Sequence, residues 1–152
     1  MRRVLVPAVV MAGLLAAAAP AVRAESVNKT VPFELDRWYE LKVQEGPVTL
    51  HRIRLAGKEG VLSKSKIFRP GNSEYLETVQ IQLEYSNSSS KDWKAEMKIR
   101  WLDDQDRVVD GYNGSEDLSE EESFQHAQVT LSTLKYGLDR ARKLSIRIDA
   151  VP

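Results

Sequence analysis

Two histidines and no cysteine bound the chemistry open to this 152-residue chain. Without a thiol there is no cysteine nucleophile, no thiolate metal site and no disulfide. A serine hydrolase needs its nucleophile on a sharp turn with a histidine and an acid in reach, and no G-x-S-x-G occurs. His51 and His126 stand far apart in the chain, so a metal site using both would need acidic partners delivered by the fold; by themselves they read as strand or rim histidines. Asp103, Asp104, Asp106 and Asp110 carry the hard oxygen donors that calcium prefers. Counted from Asp104, the third position of the helix-loop-helix calcium pattern is Asp106, but the fifth is Val108 and no glycine stands at the required turn. These aspartates read instead as the closure of a tight hairpin. The acidic stretch from Ser115 to Ser123, with Glu116, Asp117, Glu120, Glu121 and Glu122, reads as a solvated loop or one helical turn. Among so many acids no pair can be selected for glycoside hydrolysis. The expectation is a chain with no catalytic residue, no metal ligand and no cofactor.

Rings are the second source of binding chemistry. Trp93 and Trp101 share their parity with Met97 and Ile99 and belong to a core. Trp38 has the opposite parity to Tyr39 and Leu41 and is the aromatic residue expected to face solvent. Trp38 and Tyr112 are therefore the candidate ligand contacts, and a flat exposed ring suits the apolar face of a sugar.

The elements that must position these residues are strands. Val31, Phe33 and Leu35 alternate with polar neighbours, and so do Tyr39, Leu41 and Val43. Glu45-Gly46-Pro47 marks a turn. Val48 and Leu50 share one parity while Ile53 and Leu55 share the other, which requires a bulge near His51. Gly57 to Asn72, with three glycines and a proline, reads as a long connection able to hold one short strand. Val79, Ile81, Leu83 and Tyr85 form one face of a strand whose other face, Thr78, Gln80, Gln82 and Glu84, should be wet. Trp93 to Trp101 alternates in the same way, and the spacing predicts that these two strands pair antiparallel across Asn87 to Asp92. Further strands follow over Arg107 to Tyr112, Gln125 to Thr133 and Leu144 to Ala150. Leu134, Leu138 and Ala141 share one face of a short helical turn near 134–141. Seven or eight strands without alternating long helices predict an all-β fold: an antiparallel β-sandwich of the immunoglobulin-like or fibronectin III-like kind.

Met1-Arg2-Arg3, the apolar run from Val4 to Ala19 and Val22-Arg23-Ala24 follow the order of a secretory leader. The run is about sixteen residues, short of the roughly twenty that span a bilayer. Residues 1–24 are thus expected to be a cleaved signal peptide and 25–152 a single domain, exported to the periplasm or the cell exterior, with no membrane span after cleavage. The chain carries 22 basic and 22 acidic side chains; loss of Arg2, Arg3 and Arg23 leaves 19 basic ones and a net charge of about −3. No basic excess or stripe exists for nucleic acid.

Ile81-Gln82-Leu83-Glu84-Tyr85-Ser86-Asn87, followed by Trp93 to Val109 with Leu102-Asp103 turning into Arg107-Val108, resembles the bacterial exported FxLyD-type domains. The resemblance covers about thirty residues around one hairpin, with Gln105-Asp106 where that family tends to place Asp-Gly. It implies an immunoglobulin-like sandwich and no catalytic residues. The functional expectation is a non-catalytic protein-binding or structural module of the cell envelope, its partner another protein. A carbohydrate-binding module and a calcium- or zinc-binding domain or metal-dependent hydrolase are the alternatives.

Overall fold

The computed structural model describes residues 26–57 and 75–152. The expected leader, and all but the first residue of the expected Gly57 to Asn72 connection, lie outside the described residues. The elements are β1 (Val27–Pro32), β2 (Tyr39–Glu45), β3 (Val48–Gly57), β4 (Leu76–Asn87), β5 (Trp93–Leu102), β6 (Val108–Leu118), β7 (Glu122–Leu134), α1 (Lys135–Arg140) and β8 (Lys143–Val151). They form two antiparallel four-stranded sheets, ordered β1-β8-β5-β6 and β2-β3-β4-β7. The expected all-β sandwich is the architecture observed.

Alternation builds the core. Leu50, Ile53, Leu55, Ile81 and Leu83 from one sheet, and Met97, Ile99, Trp101, Leu144, Ile146 and Ile148 from the other, are at most 2% exposed and belong to one cluster. Each such side chain contributes about 1.5–3 kcal/mol on leaving water. The pairing of β3 with β4 shifts register between Leu50 and Arg52, the bulge at His51 that the parity change required. Asp103 closes the β5–β6 turn by accepting the N–H groups of Gln105 and Arg107, both at 2.9 Å.

The structure corrects several expectations. β4 and β5 do not pair; they lie in opposite sheets, β4 between β3 and β7 and β5 between β8 and β6. Asn87, with no exposed surface, diverts the chain: its Nδ2 donates to the carbonyls of Lys91 and Leu118, both at 2.9 Å, and its Oδ1 accepts the Ser89 N–H at 3.0 Å. Most of the acidic stretch is strand, since Ser115 to Leu118 complete β6 and Glu122 and Ser123 open β7. On this edge strand the backbone pairs with β5 while Asp117 faces water opposite Lys94 and Glu116, half-buried, points the other way. β1 begins earlier than the alternation suggested and ends at Pro32, which as part of an edge strand needs no N–H toward β8; the Phe33 N–H still donates to the Arg142 carbonyl at 3.0 Å. Phe33 and Leu35 pack on the core from the connection that follows. Leu134 is 51% exposed because it is still extended (φ −70°, ψ 129°) and follows the strand's alternation; Leu138 and Ala141 alone of the expected helical face turn inward. Finally, Thr78, Gln82 and Glu84, expected to be wet, are buried. No helix among the described residues is long and apolar enough to cross a membrane.

Candidate functional site

The cover over Gln82 and Glu84 is the first site. Between β1 and β2 the chain turns at Asp36, whose φ of 62° is left-handed, whose N–H donates to the Leu55 carbonyl at 2.8 Å and whose Oδ1 accepts the Gly57 N–H at 3.2 Å. This anchorage brings Trp38 back over β3. The guanidinium carbons of Arg52 and Arg54 lie 4.3 and 4.5 Å from the centroid of its ring. The bulge lets both arginines share the outer face with one turn of pleat between them.

Below the ring, register aligns Glu40, Arg52, Glu84 and His126 in one row across the sheet, and Arg54, Gln82 and Gln128 in the next. Arg52 donates to Glu84 Oε2 from Nε at 3.2 Å and Nη2 at 3.0 Å, and His126 Nε2 meets the same oxygen at 3.0 Å. Burial pushes the Glu84 carboxyl up, but the hydrogen bonds and charges of His126 and Arg52 outweigh it and hold Glu84 below the usual carboxylate range. Arg54 donates its Nε to Gln82 Oε1 at 2.6 Å. Among the described residues no carboxylate lies within ion-pair distance of Arg54.

Farther along this face, His51 Nε2 lies 2.7 Å from Ser86 Oγ. Distance alone would suit a nucleophile and its base. The surroundings do not develop that pair: Ser86 Oγ accepts the Phe124 N–H at 3.0 Å, and the Phe124 ring stacks on His51 at 4.3 Å and 13°. Among the described residues none hydrogen-bonds to the second ring nitrogen of His51 to orient it as a base. Phe124 itself has a φ of 53°, an unusual conformation for a bulky side chain, and is 64% exposed.

A second site lies at one end of the sandwich. Asp103, Arg107, Val108, Val109, Leu134, Tyr136, Gly137 and Arg140 line a concavity of about 370 Å³. Val108, Leu134 and Tyr136 are three of the five large apolar side chains that are more than half exposed among the described residues. The register of Leu76 with Leu134 puts a fourth, Tyr75, at the same end of its sheet. Arg107 reaches Asp103 Oδ2 at 2.8 Å with 61% of its side chain exposed. Arg140 lies over the Tyr136 ring at 5.3 Å and donates to its hydroxyl at 2.5 Å.

Of the two expected ligand contacts, Trp38 sits in the first site, half-buried beneath two guanidiniums rather than as an open platform. Tyr112 turns inward on β6, packs on the core and donates to Glu116 Oε1 at 3.0 Å. Burial, then the bond to and charge of Glu116, push its phenol up to about 12. Among the described residues no group of three or more histidine and acidic side chains is placed to hold a metal ion. Sequence reasoning passed over Arg52 and Arg54, although their alternation with Ile53 and Leu55 carried the signal. Tyr136 is one of the aromatic residues that the sequence offers for an exposed platform, but no periodicity singles it out. Compared with known family models, curated proteins and solved structures, the chain matches none.

Proposed function

We propose that the chain is an exported, non-catalytic binding domain of the cell envelope that seats an apolar side chain of a protein partner in the concavity between β6, β7 and α1. The observation that carries this reading is the gathering of Val108, Leu134 and Tyr136 around one hollow. Single exposed apolar residues need no explanation, whereas a contiguous group rimmed by polar ones is the composition of an interaction surface. The rim sets the partner's chemistry. Arg140 has no carboxylate within ion-pair distance among the described residues, and Arg107 is largely exposed. An aromatic or branched aliphatic anchor with a neighbouring aspartate or glutamate suits that rim. Export is supported by the order of charge, apolar run and small residues over 1–24.

The test pans a random nonapeptide library on the wild-type domain and measures the selected peptides on Leu134→Asp and Tyr136→Ser. Enriched peptides should pair an apolar anchor with an acid and lose about tenfold or more in affinity on either variant, as expected when an interface anchor is removed. Selected peptides that bind both variants unchanged would overturn the site. Hydrolysis of an ester, peptide or glycoside that is abolished by His51→Ala or Ser86→Ala would overturn the non-catalytic reading.

A further inference from the structure

We infer that the outer face of the β2-β3-β4-β7 sheet is a separate binding site for an acidic sugar, with Arg54 reading the carboxylate. Arg54 is half-buried against Trp38, and its Nε is held by Gln82. Partial burial of a cation costs solvation, and ring stacking with one neutral hydrogen bond offsets that cost only in part. Its neighbour Arg52 is neutralised by Glu84, whereas Arg54 meets no carboxylate among the described residues. A cover that served packing alone would need no second cation. With Nε taken, the planar edge that Arg54 presents is its two Nη groups, a fork matched to the two oxygens of a carboxylate.

The rest of the face decides what bears that carboxylate. Arg52 and His126 both address Glu84 Oε2, so Oε1 has no described donor and stands as an acceptor. Gln80 donates to Thr130 at 3.1 Å and accepts from Gln82, which extends a flat sheet of amides and hydroxyls beside the arginine. Phe124 on this face is more than half exposed, but its ring is taken up in a stack on His51, and among the described residues no such large apolar side chain lies in the rows of Arg52 and Arg54, so a protein partner would find no anchor at the arginine itself. Dense planar donors and acceptors beside one unpaired guanidinium suit the hydroxyls and carboxylate of a uronate. This inference does not depend on the apolar hollow at the other site.

The experiment is calorimetric titration of the mature chain with a galacturonate oligomer, its methyl ester, and a glutamate oligomer of equal charge. It is repeated on Arg54→Lys, whose fold is checked by its melt. The galacturonate oligomer should bind, the ester and the glutamate oligomer should not, and Arg54→Lys should weaken binding about tenfold, because it keeps the charge and loses the fork. Equal binding of the glutamate oligomer, or an unchanged affinity for Arg54→Lys, would reduce the face to a nonspecific cationic surface. Absence of binding to galacturonate, glucuronate and sialate oligomers alike would overturn the inference outright.

Discussion

Glu45 ends β2 with 3% of its surface exposed, far from either candidate site. Its Oε2 accepts the Ala150 N–H at 3.0 Å, which ties the second sheet to the last strand of the first, and its Oε1 has no partner among the described residues. Burial, opposed by the Ala150 bond and aided by the charge of Asp149, raises its pKa. The folded state therefore holds the proton more tightly than the unfolded chain. The stabilisation is complete below the ordinary carboxylate range and is lost as pH rises through the raised value. Glu45→Gln keeps an acceptor for Ala150 and cannot ionise. Its Tm relative to wild type should climb as pH rises from the ordinary carboxylate range through the raised value, by a few degrees for each ~1 kcal/mol relieved. A difference independent of pH would show that the carboxyl is not the cause. In the sequence Glu45 was visible only as the first residue of a turn, because a carboxylate's burial depends on what crosses it from the other sheet.

At the scale of elements, β6 is the most constrained strand. It is an edge strand that carries two glycines at close approaches. A Cβ on Gly111 would lie 2.3 Å from the Ile99 carbonyl oxygen, a backbone atom of β5; one on Gly114 would lie 2.4 Å from the Tyr112 hydroxyl, the far end of a side chain that can swing. Gly111→Ala must therefore push two paired strands apart and should cost about 1–3 kcal/mol, whereas Gly114→Ala should cost less and mainly free Tyr112 from Glu116. Thermal melts rank the two variants, and tyrosine titration should show the Tyr112 phenol falling from about 12 toward its ordinary range in Gly114→Ala alone. An equal cost for both would mean that the pairing yields as easily as a side chain does. Alternation made the existence of most strands legible; the continuation of β6 through Glu116 and Asp117 was not, because local composition favoured a loop and only pairing with β5 overrides it.

Taken as a whole, the molecule carries buried carboxylates of opposite behaviour, Glu84 and Asp103 depressed and Glu45 raised. Glu84, on the second sheet, has a depressed pKa for the reasons given above. Asp103, at the end of the first, is held below its ordinary range by the Arg107 N–H, against burial, and then by the Arg107 side chain and the Gln105 N–H. For such groups the stabilisation is present above the ordinary carboxylate pKa and is lost as pH falls through the depressed value. Glu45 acts in the other direction, so stability should decline on the acid side through Glu84 and Asp103 while Glu45 limits it on the neutral side. Glu84→Gln should be less stable than wild type by about 1–2 kcal/mol near pH 7, with the deficit closing as pH falls through the depressed value. Melts that stay parallel down to acid pH would show that Glu84 acts through packing and not through its charge.

By itself the sequence determined which residues face inward. The period-two alternation of β4, β5, β7 and β8, the parity change that demands a bulge at His51, and the tight turn at Asp103 are local properties that each stretch expresses whatever its neighbours. Only the tertiary structure decided which strands are neighbours. Alternation specifies a face but no partner, so β4 and β5 could equally have formed a hairpin until Asn87 was bonded to Leu118 across the sandwich. The same holds for the surfaces. Trp38 was legible as an outward ring, but its cover by Arg52 and Arg54, the burial of Glu84 beneath it and the meeting of Val108 with Tyr136 join residues distant in the chain. Such contacts are set by how two sheets close on one core, and no window of the sequence contains them.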